Sequence, residues 1–252
     1  MIAAALVAAA LAGGCGPPLP APGARPFRTG ETLTYDLDLL GMVKAGDLEL
    51  AVGRPMSAGR IVPLKARART TAQVSSLKKL VAVGLSWVEA ATLLPERYRD
   101  ESEEGGVHRS SDAKLRPPAA EVVLESATGD QRGASRFERR GDVLDPVSTV
   151  YLLRAARLEA GERFCFDAVG RGRYWRVEAT VAPDREKVET PAGKFDTVRV
   201  DLTGRRADGR ADAKAYEVHL WFSRDARRLL VAAVTELDVG PASVTLTSVR
   251  SP

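Results

Sequence analysis

The chain has two histidines and two cysteines, and three of these four sit where a chemical reading can be made. His219 follows Glu217 by two positions and precedes Trp221 by two. Residues two apart on a strand share a face, so Glu217 and His219 could exchange a proton as a general acid–base pair. The plainer reading is cross-strand pairing on a wet surface. His108 lies in a polar stretch near Glu101, Glu103, Glu104 and Asp112. A metal site could be built from such groups, whereas the plainer reading is a solvated loop. Cys165 alternates with Phe164 and Phe166. A lone thiol in that setting is a small packed hydrophobe; the alternative is a nucleophile.

Arginines gather at Arg136/Arg139/Arg140, Arg171/Arg173/Arg176, Arg205/Arg206/Arg210 and Arg224/Arg227/Arg228. Most fall at turns, where charge is solvated; the sharper reading is contact with anionic lipid headgroups. A net charge of +4 spread along 252 residues does not point to nucleic acid. That reading needs aromatics among the basic residues, and Trp175 beside Arg173 and Arg176 is the one hint. The sequence carries no G-x-S-x-G elbow, H-E-x-x-H pair, P-loop or G-x-G-x-x-G loop. Gly170-Arg171-Gly172 sits at a hairpin tip with no helix after it, so it is not a nucleotide motif. These residues imply no cofactor and no metal.

Cys15 has a different context. Residues 2–11 are an unbroken apolar run, followed by Ala12-Gly13-Gly14-Cys15. The run is too short to cross a bilayer, which takes about 20 residues, and fits the core of a signal peptide. The ending in Cys15 resembles the lipobox of bacterial lipoproteins. That resemblance implies cleavage before Cys15 and lipidation of Cys15, with Gly16 next to it implying the outer membrane. Residues 16–26, GPPLPAPGARP, form a Pro/Gly-rich spacer that cannot bury a core. The organisation is therefore a signal peptide over 1–14, a tether over 15–27, and a single β-rich domain over 28–250.

What must position these side chains is sheet. Residues 31–40 alternate apolar Leu33, Tyr35, Leu37 and Leu39 with Thr34, Asp36 and Asp38. The same period recurs near 48–52, 62–70, 86–92, 96–101, 121–125, 134–139, 163–168, 174–181, 197–202, 214–222, 229–239 and 243–249. Residues 186–203 predict a hairpin, with Pro191 presetting one turn angle and Gly193 free to take positive φ; it is taken as the central hairpin. Residues 75–83 predict one or two helical turns stopped by Gly84, and 103–118 a loop or a hairpin tip. Residues 146–158 predict one amphipathic helix, with Asp145 as N-cap and Pro146 at the first position. The fold class is all-β and mainly antiparallel. It is a strongly curved sheet or incomplete β-barrel, with one or two short helices packed at its open side.

Assembled in order, GETLTYDL (30–37), the Gly41/Ala45-Gly46 turn, LLPERY (93–98), DPVSTVYLLR (145–154), ETPAGKFDT (189–197) and LWFSRDARRL (220–229) resemble an exported bacterial family, domain of unknown function 3108. The resemblance implies an envelope-exposed β domain and supplies no catalytic residue. The expectation is a non-enzymatic envelope lipoprotein facing the periplasm, with a membrane anchor at Cys15. It would hold a lipid or apolar ligand in a barrel-like cavity, or bind an envelope protein partner as a structural or assembly factor. A hydrolase using Glu217 and His219 is the third reading.

Overall fold

The computed structural model describes residues 19–39, 41, 43–116, 120–207, 215–237 and 240–252. Residues 1–14 and Cys15 lie outside them. The strands are β1 (Thr32–Leu39), β2 (Val43–Val52), β3 (Ile61–Thr70), β4 (Leu80–Glu89), β5 (Pro95–Glu104), β6 (Val107–Lys114), β7 (Glu121–Thr128) and β8 (Gln131–Glu138), then β9 (Val143–Leu144), β10 (Arg163–Gly170), β11 (Arg173–Thr190), β12 (Gly193–Arg206), β13 (Tyr216–Ser223), β14 (Leu230–Leu237) and β15 (Gly240–Arg250). Helix α1 (Ala72–Lys78) falls between β3 and β4, and α2 (Pro146–Ala155) between β9 and β10.

All fifteen strands belong to one sheet, in the order β8-β7-β6-β5-β4-β3-β2-β1-β15-β14-β13-β12-β11-β10-β9. Chain neighbours pair except β8 and β9, which are the two ends of the sheet, and the one long-range ladder joins β1 to β15. Every ladder is antiparallel except the two-residue β9–β10 contact. Register shifts at Thr34/Tyr35, Leu37/Asp38, Trp87/Val88, Val181/Arg185 and Trp221/Phe222 bend the strands. The sheet curls until its two ends meet through side chains. Phe137 on β8 stacks on Tyr174 of β11 with centroids 4.8 Å apart. The Arg171 amide, at the β10–β11 turn, donates to Asp100 of β5 at 3.0 Å. This is an incomplete barrel, and the expected fold class is what the chain forms.

Helix α2 fills the concave side. Asp145 caps it, accepting from the Val147 and Ser148 amides at 2.9 Å each, while Ser148 Oγ accepts from the Asp145 amide. Val147, Ser148, Thr149, Tyr151, Leu152, Leu153, Arg154 and Ala155 are all buried. The expected amphipathic helix with one wet face is thus a helix buried almost all round. It also ends earlier than residue 158. Ala156 turns extended (ψ 149°) and bridges to Pro22, while the Gly23 amide takes the Ala155 carbonyl at 2.8 Å. The spacer therefore seals the last turn of the helix.

Three further expectations are corrected. The hairpin over 186–203 forms as the β11–β12 tip, with Gly193 at φ +133°. It lies near the β9 end of the sheet, because the β1–β15 pairing puts β1 at the centre. Gly84 does not stop a helix but stands within β4. A Cβ there would come 2.9 Å from Tyr98 Oη and 3.5 Å from Val147 Cγ2, so the glycine makes room for a tyrosine and the helix to cross. The loop expected from residue 103 on is confined to the hairpin tip at Gly105 and Gly106, at φ +57° and +80°, and Val107–Lys114 run as strand β6 paired with β5.

Candidate functional site

The residues singled out for chemistry separate in space. His108 faces Glu103 across the β5–β6 hairpin and is exposed. Among the described residues no three His, Cys, Asp or Glu side chains converge on a metal-sized space. Cys165 is buried on β10 between Phe164 and Phe166. It holds no free thiol, so the lone-thiol reading is corrected, and the nucleophile reading has no thiol to act through.

His219 does not meet Glu217. Strand β13 pairs with β12 so that His219 stands opposite Asp201, and Glu217 opposite Thr203. His219 Nδ1 lies 2.6 Å from Asp201 Oδ1. Arg199 Nε approaches the same carboxylate oxygen at 2.9 Å. Arg199 also donates to Glu186 Oε1 at 2.7 Å, and the Trp221 indole donates to Glu186 Oε2 at 2.8 Å. The guanidinium lies 6.0 Å from the Trp221 ring centroid. Glu186, Arg199, Asp201, His219 and Trp221 thus make one outward array across three strands. Alternation places each of them outward; only the cross-strand register brings them together. The array can hold a proton on an Asp–His pair. Among the described residues its one hydrogen-bonded neighbour at the imidazole is that carboxylate, and none of them aligns a nucleophile for acyl or phosphoryl transfer.

Two of the buried polar centres involve α2. Arg154 on α2 is fully buried and pairs with Glu31, Nη1 to Oε1 at 2.6 Å and Nη2 to Oε2 at 3.3 Å. Its remaining donors reach the carbonyls of Arg228 (3.0 Å) and Arg227 (3.1 Å). Its flat faces meet Phe27 and Tyr151 at 5.4 and 5.2 Å. Asp145 accepts a 2.6 Å hydrogen bond from Ser86 on β4. Burial pushes its carboxyl up to about 6, against the pull of its Ser86, Ser148 and Val147 hydrogen bonds. Both centres tie α2 to the sheet; neither opens on solvent.

Most of the clustered arginines are engaged. Arg136, Arg140, Arg171 and Arg176 pair with Glu121, Glu138, Glu104 and Asp167. Arg139 donates to the Leu115 carbonyl. Arg210 lies outside the described residues. Trp175 turns its ring edge-on to Tyr216 at 5.4 Å. The group after β13 is different. A cleft of about 470 Å³ opens there, walled by Arg185, Lys194, Phe195, Asp196, Ser223, Arg224, Asp225 and Arg227.

Comparison with known proteins places the chain by its fold. It resembles the crystal structure of a β-barrel-like protein of domain of unknown function DUF1849 from Brucella abortus. The TM-score is 0.60 at 11% identity, over 90% of this chain and 99% of that one. Two further crystal structures align over most of their length with low structural agreement. One is described as an exported protein with a YmcC-like fold, from Bacteroides fragilis (TM-score 0.34, 9% identity, 92% of this chain and 100% of that one). The other is described as a lipoprotein, from Parabacteroides distasonis (TM-score 0.37, 8% identity, 91% and 99%). No curated protein matches the sequence. Residues 34–247 match the family described as protein of unknown function DUF3108, which spans the sheet from β1 to β15, and the chain is a member of that family.

Proposed function

We propose that the protein is a non-enzymatic envelope lipoprotein, anchored through Cys15, whose solid barrel serves as a binding surface for an envelope partner. The observation that carries this reading is the seat of α2. The helix occupies the concave side where an apolar ligand would lie, and its Arg154–Glu31 pair is closed off from solvent. A lipid carrier of this architecture needs that space empty. The outward Asp201–His219 pair lacks an aligned nucleophile, which favours a surface role over hydrolysis.

Organic extraction of the purified protein tests the interior. The expected result is no stoichiometric lipid, together with a discrete protein partner in crosslinked cells. A lipid recovered at one per chain overturns the reading in favour of a carrier. Intact mass tests the anchor. Lipidation of Cys15 takes its sulfur, and the chain's only other cysteine is Cys165, whose sulfur is not free in this structure; the anchored form must therefore carry Cys165 as a buried thiol. Loss of residues 1–14 with a lipid adduct on Cys15 supports the anchor; an unmodified mass that shifts only on reduction overturns it.

A further inference from the structure

The cleft after β13 is assembled from two turns and a bulge. On β11, Val181 faces Val200 and Arg185 faces Val198, so Ala182, Pro183 and Asp184 bulge against the single Arg199 and Arg185 resumes the ladder beyond the bulge, at the rim of the cleft. On β12, Lys194 and Phe195 follow the hairpin tip. The turn after β13 supplies Arg224 and Arg227, and is pinned by the Arg224 amide on the Asp196 carbonyl at 2.9 Å and the Ser223 amide on the Leu229 carbonyl at 2.8 Å. Arg227 is held by Asp225 (2.6 Å) and lies 5.8 Å from the Phe195 ring centroid. Burial pushes the Asp225 carboxyl up, but its bonds from Arg227 and Ser223 outweigh that and set it below the ordinary range. Asp225 therefore stays ionised and committed. Lys194 has Glu189 at 3.1 Å, both well exposed. Among the described residues, Arg185 and Arg224 have no carboxylate partner. Two unneutralised guanidiniums thus stand on a cleft of about 470 Å³, large enough for a phosphate and its ester arm. Guanidinium forks match phosphate oxygens in pairs.

The place of this cleft in the molecule decides which phosphate. Arg228, on the same turn, donates to the Ala156 carbonyl at 2.8 Å. Ala156 is the residue that bridges to Pro22 of the spacer. The spacer, the last turn of α2 and the basic turn therefore share one end of the barrel. Cys15 precedes Pro22 by seven residues, which span at most about 25 Å. An acyl anchor at Cys15 would hold this end, rather than the β8 edge, against the bilayer.

We propose that the cleft walled by Arg185, Lys194, Arg224 and Arg227 binds the phosphate of an anionic phospholipid headgroup and so fixes how the barrel stands on the membrane. The chemistry of the cleft rests on its own geometry; only its orientation rests on the Cys15 anchor.

The test uses the full chain carrying Cys15→Ser, so that no acyl group contributes. Vesicles of phosphatidylcholine, with or without phosphatidylglycerol, are sedimented with it. Binding is expected only with phosphatidylglycerol, and the phosphatidylcholine vesicles read any adhesion by the leader. Arg185→Gln with Arg224→Gln should weaken binding about 20-fold, at roughly fivefold for each basic residue near an anionic surface. Arg132→Gln with Arg136→Gln removes equal charge at the exposed β8 edge and should leave binding within about twofold. Unchanged binding by the cleft variant, or equal loss in both, overturns the proposal. So does inorganic phosphate that binds the cleft as tightly as the vesicles and displaces them, since the ligand is then free phosphate. Both substituted arginines are exposed, and an unchanged thermal midpoint confirms that each variant folds. Absence of lipid on wild-type Cys15 would refute the anchor without touching this result.

Discussion

Single buried charges set how this protein responds to acid. Burial raises the Asp145 carboxyl from 3.8 to about 6, so the folded chain holds that proton more tightly than the unfolded chain does. Between those two values the folded state binds more protons, and its stability falls as pH rises across the window, then levels off. The shift corresponds to about 3 kcal/mol from this one group. Asp145→Asn keeps an oxygen to accept the Val147 and Ser148 amides. We expect it to flatten stability across the window, as read by urea unfolding at a series of pH values; an unchanged slope would assign the effect elsewhere. Asp145→Ala loses the cap and strands the Ser86 hydroxyl, and should cost about 2–4 kcal/mol. Arg154 and Glu31 obey a different rule. Removing one partner leaves a buried charge alone, so Arg154→Met is expected to cost about 3–5 kcal/mol. Arg154→Met with Glu31→Gln should cost less than the two singles summed, by more than about 1 kcal/mol in a double-mutant cycle. Strict additivity would show that the pair is not coupled.

At the scale of elements, α2 is seated against β4 by an absence of side chain. Gly84→Ala puts a methyl within 2.9 Å of Tyr98 Oη and is expected to lower stability by about 1–3 kcal/mol. Tyr98→Phe in the same chain should recover part of that loss, since the crowded oxygen is gone; no recovery in thermal midpoints would mean that Val147 is the atom that cannot yield. The same residue shows what the sequence does and does not disclose. Alternation exposes β1, β3, β11 and β13 directly, because a strand with one wet face writes its period into the chain. Asp145 and Pro146 mark the start of α2 for the same local reason. Strand β6 was hidden, because Ser, Asp, Arg and Lys leave no apolar period to read. Gly84 reads as a helix stop in isolation, and only the crossing of Tyr98 explains it. The Asp201–His219 contact needs the β12–β13 register, and Arg185 shares a cleft with Arg224 only through the pairing that brings the turn after β13 beside β12. None of these three has a local signal.

Across the whole molecule, one topology governs the rest. Each strand pairs with its chain neighbour apart from β8 and β9, the two ends of the sheet, and the long-range ladder is β1–β15 at its middle. The eight strands from β1 to β8 can therefore build outward through seven hairpin ladders, and β15 back to β10 likewise, before the halves join. Loop closure across nearly the whole chain makes that last ladder slow. A destabilising change within it, such as Leu246→Ala at a fully buried site, is expected to cost about 2–5 kcal/mol and to divide between slower folding and faster unfolding, whereas an equal cost in the β7–β8 hairpin, formed before the halves join, should appear mainly as slower folding. Stopped-flow refolding of the two variants separates these cases. The order of synthesis gives the ladder a further meaning. A chain synthesised from its beginning presents β1 early, and β1 then waits with one bare edge until β15 arrives. That edge runs through the heart of the finished sheet, so the interval between first and last strand is the period when this protein is open to capture by chaperones, to strand exchange with a second emerging copy, or to proteases. Quality control for such a fold is in effect a clock on the arrival of its last strand.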